Sequence, residues 1–371
     1  MSVRKRLLSD GQTRWQTDYK DNAGIRRHRQ FATKREAEAF LTKARSEVVA
    51  GIHTPDSASI TVSEAADLWL ARCERDALEP TTTLAYRQHL NLHILPRIGP
   101  VKLSRLTAPV VNAFRDQLLD DGRSRDMTRR VLGSLAALVG EAQTRGLVAV
   151  NNVRAVTKVK RGRRTEMRPE MPTRDELKAI VAASPDRHRP LILTALLAGL
   201  RASELRGLLW SDVDLKRGEI HVRRRADRFN TLGPPKSEAG TRTIPTSPLL
   251  LNTLKAWRLA CPKGQLDLVF PNGAGRVENH GNLLARIFWP IQIAAGVVVT
   301  KDGIPDAKYS LQALRHACAA LWIAQGFGPK RIQTMMGHSS ITQTFDRYGY
   351  LFEAREADSV AMEEIASKLV D

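Results

Sequence analysis

Three threonines, each followed three residues later by a glutamate, divide the chain before any other feature is considered. Thr33-x-x-Glu36, Thr61-x-x-Glu64 and Thr173-x-x-Glu176 each stand at the edge of a turn-forming stretch and open a helical pattern. In such a capping box the threonine hydroxyl and the glutamate carboxylate satisfy backbone N–H groups that a helix start leaves unpaired. Three separate helix starts of this kind imply three structural beginnings. A length of 371 residues allows two or three domains, each large enough to bury its own core.

The first segment reads as a small α/β unit. Trp15 to Tyr19 alternates, Asp21 to Gly24 is a turn, and Arg26 to Phe31 forms a second, basic strand. The helix capped by Thr33 runs to about Ala50, with Ala37, Phe40, Leu41 and Ala44 on one face, and Gly51 and Pro55 end it. The segment from Thr61 is helical throughout, over about 61–77, 80–94, 107–121 and 125–146, with breaks at Pro80, the Pro96-to-Pro100 turn and Gly122. His89 and His93 have the spacing of two zinc ligands, but no third ligand is evident, so surface or packing roles are expected. The segment opened by Thr173 is the largest. It contains an apolar helix from Pro190 to Ala198 stopped by Gly199, strands near Glu219–Arg225 and Thr241–Pro245 with a long Gly/Pro-containing loop between them, and helix again from Ser310. The expected architecture is multi-domain and mainly α with small antiparallel sheets: a ββ(β)α unit, in which a third strand is optional, then a helical unit and an α+β unit. Its boundaries are 1–57, 60–152, a linker at 153–170, 171–352 and a tail at 353–371. In the tail, Ala354, Ala357, Ala361, Ile365 and Leu369 recur at helical spacing.

Charge points to the partner. The net charge is +19, which predicts a polyanion and says nothing about fold. By segment it is +5 over 1–60, +2 over 61–150, +5 over only 151–170, +11 over 171–352 and −4 over the tail. Lys158, Lys160, Arg161, Arg163 and Arg164 form a basic connector suited to tracking phosphates. Arg26, Arg27 and Arg29 lie on a strand that fits a major groove as part of a ribbon. Aromatic residues are only 5%, which argues against a base-stacking binder of single strands and favours duplex DNA. No apolar run approaches a membrane span, the N-terminus lacks the apolar core of a signal peptide, and Cys73, Cys261 and Cys318 form no disulfide or metal pattern. A soluble, cytoplasmic protein is the expectation.

Four clusters in the last segment carry reactive side chains. Gly199 to Leu205 holds Arg201 and Glu204, which could simply pair one turn apart. Pro234-Pro235-Lys236 places a lysine in the loop between the strands. Ser310 to His316 sets Gln312 and Arg315 on one helix face. Met336 to Tyr348 contains His338, and there Ile341, Phe345 and Tyr348 recur as a core stripe would. Taken together, two arginines, a lysine, a histidine and a tyrosine are what phosphodiester chemistry needs without metal. Guanidinium forks clamp the non-bridging oxygens, tyrosine is a nucleophile once its proton is removed, and lysine or histidine protonates the departing oxygen. Metal-dependent cleavage is the weaker alternative, since no suitable Asp/Glu cluster accompanies these groups.

The strings GLRASEL, PPKSEAGTRTIP, LQALRHA and MGHSSITQTFDRYGYL resemble, in order, the catalytic motifs of the tyrosine recombinases, including phage-type integrases. The resemblance extends over the whole chain. It implies an arm-type DNA-binding domain first, a helical core-binding domain second and a catalytic domain third. It further implies that Tyr348 is the nucleophile forming a 3′-phosphotyrosyl link, that Arg201 and Arg315 clamp the phosphate, and that Lys236 is the general acid. His338 supports the nucleophile and Glu204 orients its neighbours. The family commonly has histidine where this chain has Gln312, which implies altered proton handling, because a carboxamide neither gains nor loses a proton near pH 7. Tyr350, two residues on, occupies a position that is not usually the nucleophile. The function implied is a site-specific DNA recombinase that integrates or excises a prophage or other mobile element. It would act as a homotetramer on core and arm sites of duplex DNA, without metal or nucleotide cofactor and with a possible accessory bending or directionality factor. The tail would dock either on its own domain or on a neighbour. Two rival readings share the same residues: a DNA-binding relative impaired in catalysis, and a relaxing enzyme like topoisomerase IB.

Overall fold

The computed structural model describes residues 2–9, 11–22, 24–51, 53, 55–157 and 169–352. The chain divides into two compact units, Met1–Arg163 and Arg164–Asp371.

In the first unit, β1 (Ser2–Leu7), β2 (Thr13–Lys20) and β3 (Arg26–Phe31) form an antiparallel sheet in that order, and α1 (Lys34–Val49) packs on it. The sheet has one more strand than the hairpin read from residues 15–31. Ser2–Leu7 offers no clean alternation, and its pairing with β2 supplies the order that its own pattern lacks. Tyr19 and Phe31 meet Phe40 of α1 with ring centroids 5.7 and 5.1 Å apart, which makes a small apolar layer around buried Ala37 and Ala44.

The register separates the three arginines of β3. Arg27 lies opposite Tyr19 and Arg29 opposite Thr17, so both share the face that α1 covers. Arg27 donates to buried Asp21 at 2.8 Å, and the Arg29 guanidinium lies 5.1 Å from the Phe40 ring centre. Arg26 lies opposite Lys20 on the other face, the face that Arg4 and Arg6 of β1 also share.

The helical part follows: α2 (Val62–Arg75), α3 (Pro80–His89), α4 (Leu95–Ile98), α5 (Ala108–Asp120), α6 (Arg125–Thr144) and α7 (Asn152–Thr157). Its core contains Trp69, Leu90, Phe114, Leu118 and Leu135. The third helix does not stop before Pro96. Residues Leu90–Ile94 widen into a π turn, in which the Leu95 N–H reaches the Leu90 carbonyl, and the helix runs on to Ile98. Proline cannot donate to the regular ladder and crowds the preceding turn, and the wider turn removes both conflicts. His89 and His93 serve packing: His89 bonds to Ser134 Oγ at 2.8 Å and His93 is buried. Asp56 ties the connector to this part, accepting from Arg105 at 3.1 Å and Ser104, while its carbonyl accepts from Lys102 at 2.7 Å.

The second unit contains α8 (Arg174–Ala183), α9 (Arg189–Ala198), α10 (Ala202–Arg206), β4 (Val213–Asp214), β5 (Glu219–Val222), β6 (Arg225–Ala226), β7 (Leu232–Gly233), β8 (Arg242–Pro245) and α11 (Pro248–Ala260). It continues with α12 (His280–Asn282), α13 (Trp289–Ala294), β9 (Val298–Lys301), β10 (Ile304–Ala307), α14 (Leu311–Ala324), α15 (Pro329–Met336) and α16 (Ile341–Tyr348). The strand expected over 219–225 is two. β5 pairs with β4 and β8, whereas Arg225 turns away to pair with Gly233 in a separate hairpin inside the long loop. A further hairpin, β9–β10, turns at Asp302-Gly303, both at positive φ. Asp-Gly between apolar runs is a strong hairpin signal, legible in the residues themselves. α9 is buried almost all round and ends at Gly199 in the left-handed conformation. A side chain at Gly199 would also press on Met336 and Cys318. This packing holds the start of α10 against the end of α15, where the reactive side chains gather.

The expected tail helix, and Lys158, Lys160, Arg161, Arg163 and Arg164, lie outside the described residues.

Candidate active site

Arg201 caps α10 and Glu204 sits in its first turn. The Glu204 carboxylate accepts the Arg201 backbone N–H at 2.8 Å and its guanidinium at 2.7 Å. This is the local pairing that the spacing allowed, yet it is the smaller part of the arrangement. Arg242, at the start of β8, donates to both Glu204 oxygens at 3.1 and 2.9 Å, to the Gly240 carbonyl at 2.9 Å and to the Met335 carbonyl at 2.7 Å. Burial by itself would raise the Glu204 carboxyl; Arg242, with Arg315 and Arg201, holds it down at about 2. Sequence reasoning missed Arg242, because a lone arginine in a strand has no helical partner to betray it. The one available signal was Glu204 itself, since a carboxylate next to a buried helix needs a counter-charge.

Arg315 on α14 is 2% exposed and donates to the carbonyls of Gly199 and Met336, the ends of α9 and α15. Burial, then the neighbouring Arg201, lowers it to about 9, so it remains charged at neutral pH. Arg201 spans outward from Glu204 to the Gly337 carbonyl at 2.8 Å and keeps about a third of its side chain in solvent. Gly337 is left-handed, and a Cβ there would meet the Ala239 carbonyl at 2.8 Å and the Arg242 guanidinium at 3.0 Å. Three guanidiniums around one carboxylate leave an excess of positive charge, held by fixed backbone carbonyls, with Arg201 at its open edge. Such a cradle is preorganised for a phosphate.

His338 follows Gly337 directly. It is 2% exposed, its Nδ1 lies 2.9 Å from Thr344 Oγ1, and its Nε2 has no partner. Burial, with Arg315 and other arginines nearby, lowers it to about 3, so the ring is neutral at pH 7. Tyr348 ends α16. It is 0% exposed and its ring lies nearly parallel to His338, at a centroid distance of 6.4 Å. Its hydroxyl lies 2.7 Å from His316 Nδ1, not against His338. Burial raises Tyr348 to about 12, against the lowering effect of Arg315 and Arg347. His316, which stands in the third motif without an expected role, thus joins the site through Tyr348.

The structure therefore gathers Arg201, Glu204, Arg315, His338 and Tyr348, and adds Arg242 and His316. Lys236 and Gln312 are exposed. Lys236 sits in the loop after β7, and Pro235 beside it packs on Gly240, whose carbonyl is bound by Arg242. Gln312 lies one helical turn before Arg315. Tyr350 is half-buried in the short turn after α16.

Among the described residues no helix is long and apolar enough to cross a membrane. Residues 171–355 match the phage integrase family, and residues 61–119 match the phage integrase N-terminal SAM-like domain. A tyrosine recombinase XerC-like protein of Caldanaerobacter subterraneus is 24% identical, the alignment covering 91% of this chain and 90% of that one. The ICEBs1 integrase of Bacillus subtilis is 25% identical over 92% and 90%, and the prophage integrase IntR of Escherichia coli 24% over 81% and 79%. Among solved structures, the Tn1549 transposon integrase in complex with a circular intermediate DNA superposes with a TM-score of 0.67 at 19% identity, over 83% of this chain and all of that one. A lambda integrase tetramer bound to a Holliday junction gives 0.59 at 20% identity, over 92% and 97%. The chain belongs to the tyrosine recombinase, or phage integrase, family of site-specific DNA recombinases.

Proposed function

We propose that this recombinase cleaves and rejoins duplex DNA through Tyr348, in the integration or excision of a mobile element. The observation that carries the reading is the convergence of Arg201, Arg242, Arg315, Glu204, His338 and Tyr348 from separate elements into one buried, positively charged cluster. In the reaction, the Tyr348 oxygen forms a bond to the scissile phosphorus and its proton passes to solvent water. The bond to the 5′ oxygen breaks, and that oxygen takes a proton from Lys236. Arg201 and Arg315 meet the charge on the non-bridging oxygens. Glu204, itself held by Arg242, fixes the Arg201 guanidinium, and the Gly199 and Met336 carbonyls fix that of Arg315. With Thr344 donating to His338 Nδ1, the unpartnered Nε2 carries the ring proton and is a hydrogen-bond donor for a phosphate oxygen or for the phenolic oxygen. Gln312 offers a neutral hydrogen bond to the phosphate where the family commonly has histidine. Rejoining is the reverse, and the phosphotyrosine conserves the bond energy.

The remaining assignments follow from charge and register. Residues 1–57 are an arm-site domain that uses the outward face of its sheet, with Arg4, Arg6 and Arg26, and exposed Arg29 beside it, while Arg27 is tied to Asp21. Residues 60–152 clasp the core site, 153–170 is the basic connector and 171–352 is the catalytic domain. The active assembly is a tetramer on two duplexes, by analogy with the lambda integrase tetramer bound to a Holliday junction. An accessory bending or directionality factor joins at the arm sites.

The test is incubation with a nicked suicide duplex carrying the cognate core site. A covalent protein–DNA adduct is expected, and it should be absent with Tyr348→Phe. No adduct, or one that survives this substitution, would sink the reading.

A further inference from the structure

The helix that carries Arg315 also holds the tyrosine. Consecutive residues on a helix point about 100° apart. Arg315 therefore reaches the carbonyls of Gly199 and Met336, while the His316 imidazole meets Tyr348. The contact has two parts: Nδ1 lies 2.7 Å from the hydroxyl, and the ring centroids are 5.8 Å apart, tilted by 58°. His338 does not share the hold, since its Nδ1 is engaged by Thr344.

Burial, with Arg347 and Arg315 nearby, lowers His316 to about 4, and burial raises Tyr348 to about 12. At neutral pH the imidazole is uncharged and the phenol keeps its proton; in the Nε2–H tautomer of His316 the hydroxyl donates to Nδ1. With the two groups shifted so far apart, the proton stays on the phenol in this resting arrangement. None of the Tyr348 surface meets solvent, so the phenol has to be uncovered before it meets a DNA phosphate.

We propose that His316 is a positioning residue that holds Tyr348 withdrawn and protonated, so that release of the hydroxyl from Nδ1 is a step of its own before cleavage. The proposal rests on Tyr348 being the nucleophile. It names what bound DNA must undo: one short hydrogen bond and a ring contact between α14 and α16.

The experiment uses the full-length chain, single-turnover mixing with the nicked core duplex, and the rate of adduct formation at saturating protein. His316→Phe keeps a ring in place and removes the acceptor. Its adduct should form about fivefold faster, the worth of one neutral hydrogen bond, and Tyr348 in the DNA-free protein should be nitrated faster by tetranitromethane. His316→Asn, whose side-chain oxygen accepts, should return both rates toward wild type, which a purely structural role would not do. An unchanged or slower adduct rate in His316→Phe, with DNA binding intact, overturns the proposal; a fall to the Tyr348→Phe level would make His316 the base. Should His316→Phe not fold, the imidazole nitrogen shifts of the wild-type protein decide. An accepting, unprotonated Nδ1 in the free protein that changes on covalent capture is expected, and an Nδ1–H tautomer or an unchanged shift overturns it. Absence of the wild-type adduct, or its survival in Tyr348→Phe, instead fells the nucleophile assignment, and this proposal with it.

Discussion

The N-terminal sheet and the buried arginine cluster around Glu204 use arginine in opposite ways. On the outward face of the sheet, Arg4 and Arg26 stand about two-thirds exposed, each with Asp18 no nearer than 3.9 Å. In the cluster, Arg242 and Arg315 are almost fully buried and their donors are taken up by Glu204 and backbone carbonyls. A charge that only has to attract a polyanion works best when it is solvated and mobile. A charge that has to meet a phosphate in a strained, pentacoordinate state must already be in place, because reorganisation during the reaction costs rate. The burial cost is offset by hydrogen bonds that fix the geometry.

That contrast breaks most readily at Glu204. Glu204→Ala leaves Arg242 buried without its counter-charge and should lower the unfolding free energy by about 3–5 kcal/mol in a urea titration. Arg4→Ala should stay within about 0.5 kcal/mol. Arg315→Lys keeps a charge and loses the fork that spans Gly199 and Met336. The adduct-forming rate should fall by about 10²–10³-fold, with core-site binding far less affected.

Acid should find the catalytic unit before the sheet. His316 and His338 are lowered to about 4 and about 3, so between those values and the ordinary histidine range the unfolded chain binds protons that the folded one refuses. Stability then rises with pH across that window and falls as the solution is acidified from 6.5 toward 4. Glu204, held at about 2, adds a further loss as pH drops from about 4.5 toward 2. Melting curves of the full chain between pH 7.5 and 4 should show the loss. A melting temperature independent of pH there would mean that the histidines are not buried neutral.

Within the sheet the comparison sharpens to neighbouring residues. Arg27→Ala removes the 2.8 Å bond to buried Asp21 and should cost about 1–3 kcal/mol of stability, whereas Arg26→Ala should cost almost none. The triple change Arg4→Ala, Arg6→Ala and Arg26→Ala should instead reduce the salt slope of arm-duplex binding by about 2–3, while the melting temperature holds. Equal effects of Arg26→Ala and Arg27→Ala on binding would refute the two-face assignment.

Some of this was legible along the chain and some was not. Each capping box forms as the Thr-x-x-Glu spacing implies, because the interaction is complete within four residues. Gly199 ends a buried helix for an equally local reason. The third helix overran its expected stop at Pro96, since a π turn accommodates proline at a cost that tertiary packing covers. The long loop hid the β6–β7 hairpin, whose two-residue strands are too short to show a period.

The sequence by itself determined the identities of the reactive groups, the order in which they occur and the sign of the charge that meets DNA. Those are properties of residue type, local spacing and composition, and they survive in any conformation. Only the tertiary structure decided that Arg242 is the main counter-ion of Glu204, that Arg27 is tied to buried Asp21, and that Tyr348 hydrogen-bonds to His316 rather than His338. Each of these joins residues remote in the chain, or depends on which face a neighbouring element covers. Burial, which decides whether a charge is solvated, paired or suppressed, exists only once those elements have packed.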